Sequence, residues 1–281
     1  MLGPRSLVLL AAVCFGTTGT AQALGPDGTE PSVVGAARVA VGGGLLVALA
    51  WRRGGPAWPP VPVALGALGV ATYQLTFFAA VDATGVAVGT VVALGSGPVF
   101  AGLLAREPLT QRWTIATTLA VAGVALLVAA GSGAEIDPGG VALALGAGLS
   151  YATYTVAAKR LLAAHGPEAV MARLFGFGAV LLAPVLIVSG LGAVGSAGGV
   201  AMVVFLGVVP TALAYVLFAR GLRHLPAGEV ATLTLAEPVT ATALGVLVLA
   251  ERPGAVALLG VALVLAGLAV LAAPRREEGS G

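Results

Sequence analysis

MLGPRSLVLLAAVCFGTTGTAQALG, residues 1–25, admits two incompatible readings. As a secretory leader it has Arg5 for a basic start, Ser6 to Phe15 for an apolar middle and Ala21-Gln22-Ala23 for a small-x-small cleavage site. As a membrane span it is the first of a series. Composition weighs for the second. Charged residues are 9% of the 281 and hydrophobic ones 58%, where soluble domains carry roughly 25% charge, and the mean hydropathy is +1.03. So few charges cannot cover a water-facing surface. The 42 glycines lie among Ala, Val and Leu in long uncharged runs, where small residues let helices pack closely in lipid. The chain reads as an all-α polytopic membrane protein.

Crossing about 30 Å of hydrocarbon takes roughly 20 helical residues. Charges, prolines and glycine clusters divide the chain into ten such segments: 6–24, 32–51, 62–82, 84–105, 113–131, 139–158, 168–190, 199–219, 226–250 and 254–273. Only Asp82 and the turn Ala83-Thr84-Gly85 separate the third from the fourth. With a cytoplasmic N-terminus, alternate loops put Arg5, Arg52, Arg53, Arg106, Arg112, Lys159, Arg160, Arg220, Arg223, Arg275 and Arg276 inside, whereas Asp27, Glu30, Asp82, Glu135, Asp137 and Glu251 fall outside with Arg252. This positive-inside bias places both termini in the cytoplasm. The net charge of +2 is therefore a topology signal rather than a nucleic-acid surface, because the basic residues come in pairs between apolar runs. Cys14, the single cysteine, lies within the first run and allows no intrachain disulfide or multi-cysteine metal site.

The two halves resemble each other at an offset of about 140 residues. CFGTTGTAQAL matches SYATYTVAAKR, ARVAVGGGLLVAL matches ARLFGFGAVLLAP, and GVATYQLTFFAAV matches TALAYVLFARGL. GSGPVFAGLLAREPLTQRW likewise matches LAEPVTATALGVLVLAERPG. A repeat of five spans is odd, so the second copy crosses with opposite orientation, as in many secondary transporters. The expected organisation is a first repeat over 1–133, a second over 134–273 and a short cytoplasmic tail, 274–281. The opening stretch now has its answer: its counterpart is the sixth span, which lies mid-chain and cannot be a leader.

These features together resemble the EamA-type transporters of the drug/metabolite transporter superfamily: the ten-span layout, the aromatic-small pairs Phe15-Gly16 and Tyr151-Ala152, an arginine early in the second helix of each half, and ATLTLAEPVTATALGVLVLAERPGAVALLGVALVLAGLAVL. The likeness covers the whole chain and is most specific over 209–271. Two departures stand out. The first-helix aromatic, usually tryptophan in that family, is Phe15 or Tyr151, and Pro98 precedes Glu107 by nine residues where Pro238 precedes Glu251 by thirteen.

An ionisable side chain in mid-membrane is costly, so one that is present marks a site. Glu237 lies near the middle of the ninth span, with Thr234 and Thr240 three residues to either side on one helical face. Pro238 removes the hydrogen bond to the Thr234 carbonyl and leaves a backbone acceptor free. Such a carboxyl suits carrying a proton or meeting a cationic group. Gly97 takes its place in the first half. Arg38 and Arg173 occupy equivalent places early in the second and seventh spans; either suits an anionic or carboxylate-bearing solute or, as a structural residue, headgroups and helix C-termini, with Arg38 kept as the binding candidate and Arg173 read as structural. Tyr73 with Gln74, and Tyr151 with Tyr154, offer polar and aromatic surface to a central cavity, whereas Tyr215 reads as an interfacial tyrosine. Pro98, Pro210 and Pro238 are expected to kink their helices and serve gating. His165 and His224 read as solvated loop residues, and Glu107 and Glu251 as helix caps or partners of the adjacent arginine.

The reading is therefore a secondary active transporter of a bacterial plasma membrane. It exports small metabolites, amino acids or drug-like compounds by alternating access, either proton-coupled or by exchange. The alternative is an importer or antiporter of phosphorylated or nucleotide-linked sugars, which asks for several basic cavity residues and finds only Arg38 and Arg173. An intramembrane enzyme needs paired aspartates, a His-Glu-x-x-His run or a serine with a base, and the spans contain none. A scaffold or sensor needs a soluble domain, which the short loops do not provide. No cofactor, metal or nucleic acid is expected; the partners are a small solute, the bilayer and protons, with a homodimer left open.

Overall fold

The computed structural model describes residues 2–50, 57–108, 110–129 and 137–272. Arg52, Arg53, Glu135, Arg275, Arg276 and the tail 274–281 lie outside these. The described residues are all-helical, without strands. In order they form α1 (Pro4–Ala23), α2 (Pro31–Ala50), α3 (Pro60–Ala105), α4 (Gln111–Ala129), α5 (Pro138–Leu161), α6 (Pro167–Ser189), α7 (Ala197–Gly207), α8 (Ala214–Leu222), α9 (Ala227–Thr234), α10 (Glu237–Leu249) and α11 (Ala255–Ala272). Lipid offers the backbone no hydrogen-bond partner, so apolar runs of this length close their bonds internally as helices. Proline sets where they begin: α1, α2, α3, α5 and α6 each open on one, in the first turn, where the missing N–H has no intrahelical acceptor.

Among the described residues nine stretches are long and apolar enough to cross a membrane: α1, α2, Pro60–Thr84, Val88–Ala105, α5, α6, Ala197–Leu222, Ala227–Leu249 and α11. The expected fifth span, 113–131, falls on α4, which packs along α11; residues 130 and 131 are outside the described set.

The third and fourth spans differ from expectation. Asp82 to Gly85 does not interrupt the helix; the backbone stays helical from Pro60 to Ala105. Yet Gly69 and Gly97 both pack against the Ser150–Tyr154 turn of α5, and 28 residues of straight helix would separate them by about 42 Å. A Cβ built on Gly89 would also stand 3.2 Å from the Val81 Cα. The chain thus doubles back near Thr84, whose hydroxyl donates to the Ala80 carbonyl at 2.8 Å.

Two later spans are broken by proline. Pro210 cannot donate to the Leu206 carbonyl; the Thr211 hydroxyl does so instead at 2.8 Å, and Val208–Leu213 widens into a π-helix between α7 and α8. Pro238 likewise leaves the Thr234 carbonyl without its helical donor. Leu235 and Ala236 donate to the Thr232 and Leu233 carbonyls, three residues back, and the span divides into α9 and α10. Pro98, by contrast, lies inside α3.

Small residues set the packing. A Cβ on Gly123 would come within 2.6 Å of the Gly260 carbonyl, and one on Gly260 within 2.6 Å of Gly123's, so α4 and α11 touch through backbone. Gly43 meets the Phe175 carbonyl between α2 and α6, and Gly16 meets the Glu237 carbonyl and Thr240 between α1 and α10. α5 packs on both limbs of α3, while α1 packs on α8 and α10.

Cross-links gather one end of the bundle. Arg5 of α1 pairs with Glu229 of α9 at 2.8 Å, and Arg220 of α8 with Glu168 of α6. Arg112 donates to the Val270 and Leu271 carbonyls that end α11. Lys159 donates to the carbonyls of Leu222, Arg223 and Leu225. His165 is also here, and not as a solvated loop residue: it is buried and stacks on Trp58 at 3.6 Å, and the Arg173 guanidinium lies 3.7 Å over the same ring. Burial, then the Arg173 charge, pushes the His165 pKa below its ordinary value. This is the basic end. Asp27, Glu30, Asp82, Asp137 and Glu251 mark the other, acidic end.

Candidate functional site

A cavity of about 150 Å³ lies between α1, α2, both limbs of α3, α5, α8 and the α9–α10 break. Its lining lies toward the end away from the basic one. On α1, which carries Arg5 in its first turn, the lining residues Phe15, Thr18 and Gln22 belong to the second half. On α3 they lie to either side of the reversal, from Tyr73 to Phe78 and from Thr90 to Gly97. Tyr215 forms the floor. Its ring packs on Phe175 at 4.2 Å and Phe15 at 4.9 Å, and its hydroxyl accepts from Tyr154 at 3.4 Å. The interfacial position expected for Tyr215 is therefore corrected: the π-helix before α8 turns it into the bundle.

Among the described residues two charged groups line this cavity, Arg38 from α2 and Glu237 from the first turn of α10. Among the described residues the ion pairs within 4 Å are Arg5–Glu229 and Arg220–Glu168, so Arg38 and Glu237 share the space without bonding each other. Arg38 donates one bond, from Nη2 to the Gln74 Oε1 at 3.3 Å, while its buried Nε has no partner. Around Glu237, Tyr151 and Thr234 share a hydroxyl–hydroxyl bond of 3.1 Å, and the Thr234 hydroxyl also donates to the Ala231 carbonyl. The lining beyond these groups is mostly apolar, with Phe77, Phe78 and Leu94 contributing.

Of the residues picked from sequence, the fold brings Arg38, Tyr73, Tyr151, Thr234 and Glu237 to the cavity. Gln74 stands behind Arg38, and Tyr154 behind Tyr215. Thr240 is elsewhere: it packs on Gly16 of α1 and donates to the Ala236 carbonyl. Gly97, matched to Glu237 by the repeat, does line the cavity; a Cβ there would stand 3.2 Å from the Tyr151 ring. Thr18, Gln22 and Thr90 are lining residues that sequence reasoning missed. Among the described residues no group of three His, Cys, Asp or Glu side chains is placed to hold a metal.

Arg38 and Glu237 thus share a mid-bundle cavity beside a broken helix, and the sequence profile of the EamA-like transporter family matches residues 5–129 and again 138–273. The chain belongs to the EamA-like transporter family. It is a multi-pass membrane transporter and not an enzyme. It is 42% identical to the uncharacterized transporter YwfM of Bacillus subtilis, over 96% of this chain and 94% of that one. It is 30% identical to the threonine/homoserine exporter RhtA of Escherichia coli, over 92% and 87%. A solved crystal structure of a protein with 22% sequence identity superposes with a TM-score of 0.84 over 96% of both chains, a likeness of fold alone.

Proposed function

We propose that this transporter exports a small zwitterionic amino acid by alternating access, in exchange for protons or another solute. One observation carries the reading: Arg38 and Glu237 line the same cavity without pairing. A carboxylate suits the arginine's free donors and an ammonium suits the glutamate, each replacing water lost on binding. A void near 150 Å³ admits a benzene-sized body, which matches a short side chain and not a nucleotide-linked sugar. The amino-acid exporter among the relatives supports the class.

In this reading α4 is a tenth span, and 1–133 and 134–273 are two inverted five-helix repeats. Pro210 and Pro238 supply the bends and both termini are cytoplasmic. The double family match, the basic end and the broken helices support it. Glu237 holds a proton or the solute's ammonium, but not both at once, and that exclusion couples outward solute movement to inward proton movement.

The test is proton movement and radiolabelled efflux in proteoliposomes over an amino-acid panel, with Glu237→Gln beside the parent. Solute-driven proton movement that is lost in Glu237→Gln is expected. Equal responses in both proteins would remove Glu237 from the coupling, and no efflux of any amino acid would remove the substrate class.

A further inference from the structure

Glu107 and Glu251 end matching segments in matching ways. Each follows a residue in the left-handed region, Arg106 at φ 53 and Ala250 at φ 56. Each donates its backbone N–H back into the helix, to the Gly102 and Gly245 carbonyls. Their carboxylates then part company. Glu251 is exposed and folds over its own helix, where Gly245 leaves it room. Glu107 crosses to α9 and accepts the Ala227 and Gly228 N–H groups at 2.5 and 2.9 Å. Charge-assisted bonds at the positive end of a helix are among the stronger polar contacts.

We infer that Glu107 is the gating residue of the basic end: its grip on α9 closes the cavity toward that side, and each transport cycle releases it. α9 is eight residues long and runs from this grip to the break beside Glu237. It carries Thr234, bonded to Tyr151 in the cavity, so a shift of α9 at the solute site moves the donors that Glu107 holds. A second cavity, about 280 Å³, lies beside Glu107 and is lined by Arg5, Thr110 and Arg112. A released carboxylate therefore has room to turn into. The inference rests on the alternating-access reading and on the basic end being cytoplasmic.

The test reads access, not substrate. In a Cys14→Ala background, Ala231→Cys puts a thiol on α9 where it lines the main cavity. Sided vesicles are then treated with a membrane-impermeant maleimide from each face. Glu107→Gln is expected to speed labelling from the basic side about tenfold, an access shift of about 1.4 kcal/mol, while Glu251→Gln leaves that rate unchanged. If Glu107→Gln does not reach the membrane, Glu107→Asp, which keeps the charge and shortens the reach, is read in the same way. A basic-side rate within twofold of the parent overturns the proposal, as does equal acceleration by Glu251→Gln. Acceleration in a protein that moves no amino acid keeps the gate and discards the substrate class.

Discussion

The two ends of the bundle are held by different kinds of bond. At the basic end, Arg5, Glu107, Arg112, Lys159 and Arg220 all reach from one element to another. At the acidic end the side-chain bonds described are local: Asp137 accepts from Gly140 in its own first turn, Ser196 from Gly199, and Ser32 donates to Glu30. The cavity lies toward the locally bonded end, with Tyr215 between it and the cross-linked one. Polar bonds between elements mark the closed side, whereas local caps secure each helix without fixing it to its neighbours.

That contrast is open to attack in order of expected effect. Lys159→Met leaves the Leu222, Arg223 and Leu225 carbonyls without their cation and should cost about 3 kcal/mol, read as a fall in melting temperature in detergent. Arg112→Gln removes two bonds at the C-terminus of α11 and should cost about 2 kcal/mol by the same assay. Asp137→Ala removes a local cap and should cost about 1 kcal/mol while leaving basic-side labelling of Ala231→Cys unchanged. If it matches Lys159→Met, or changes that labelling, the two ends are not distinct. Arg5→Gln breaks a pair whose arginine is 40% exposed, so screening should hold its effect to about 0.5 kcal/mol or less.

His165 sharpens the comparison through pH. Its pKa is depressed in the fold, so between that value and about 6.5 the unfolded chain binds more protons. Stability should therefore fall as the pH drops below about 6.5, and His165→Gln should flatten that slope. A melting temperature equally pH-dependent in both proteins would remove His165 from the basic end's account.

What sequence could reveal followed from rarity. Glu237 and Arg38 were legible because charge inside a span is uncommon, and the cavity forms around both. Thr18, Gln22 and Thr90 were not, since threonine and glutamine occur in helices for many reasons and nothing local aims them inward. Thr240 was misplaced because it shares α10 with Glu237 but packs on Gly16 of α1, a contact that nothing local in the sequence announces. His165 and Glu107 looked like ordinary loop and cap residues because their partners lie more than 100 residues away along the chain. The reversal of α3 was half legible: its place was right, but a turn that keeps helical bonding carries no breaker to betray it.

Lys159 is the chain's single lysine, and its amine is tied to three carbonyls where α8 hands over to α9. An acylating reagent at mild pH therefore has one side-chain amine to attack, and that nitrogen is withheld as long as the handover keeps its shape. The protein carries its own chemical reporter, a residue whose acetylation rate counts how often this corner comes apart.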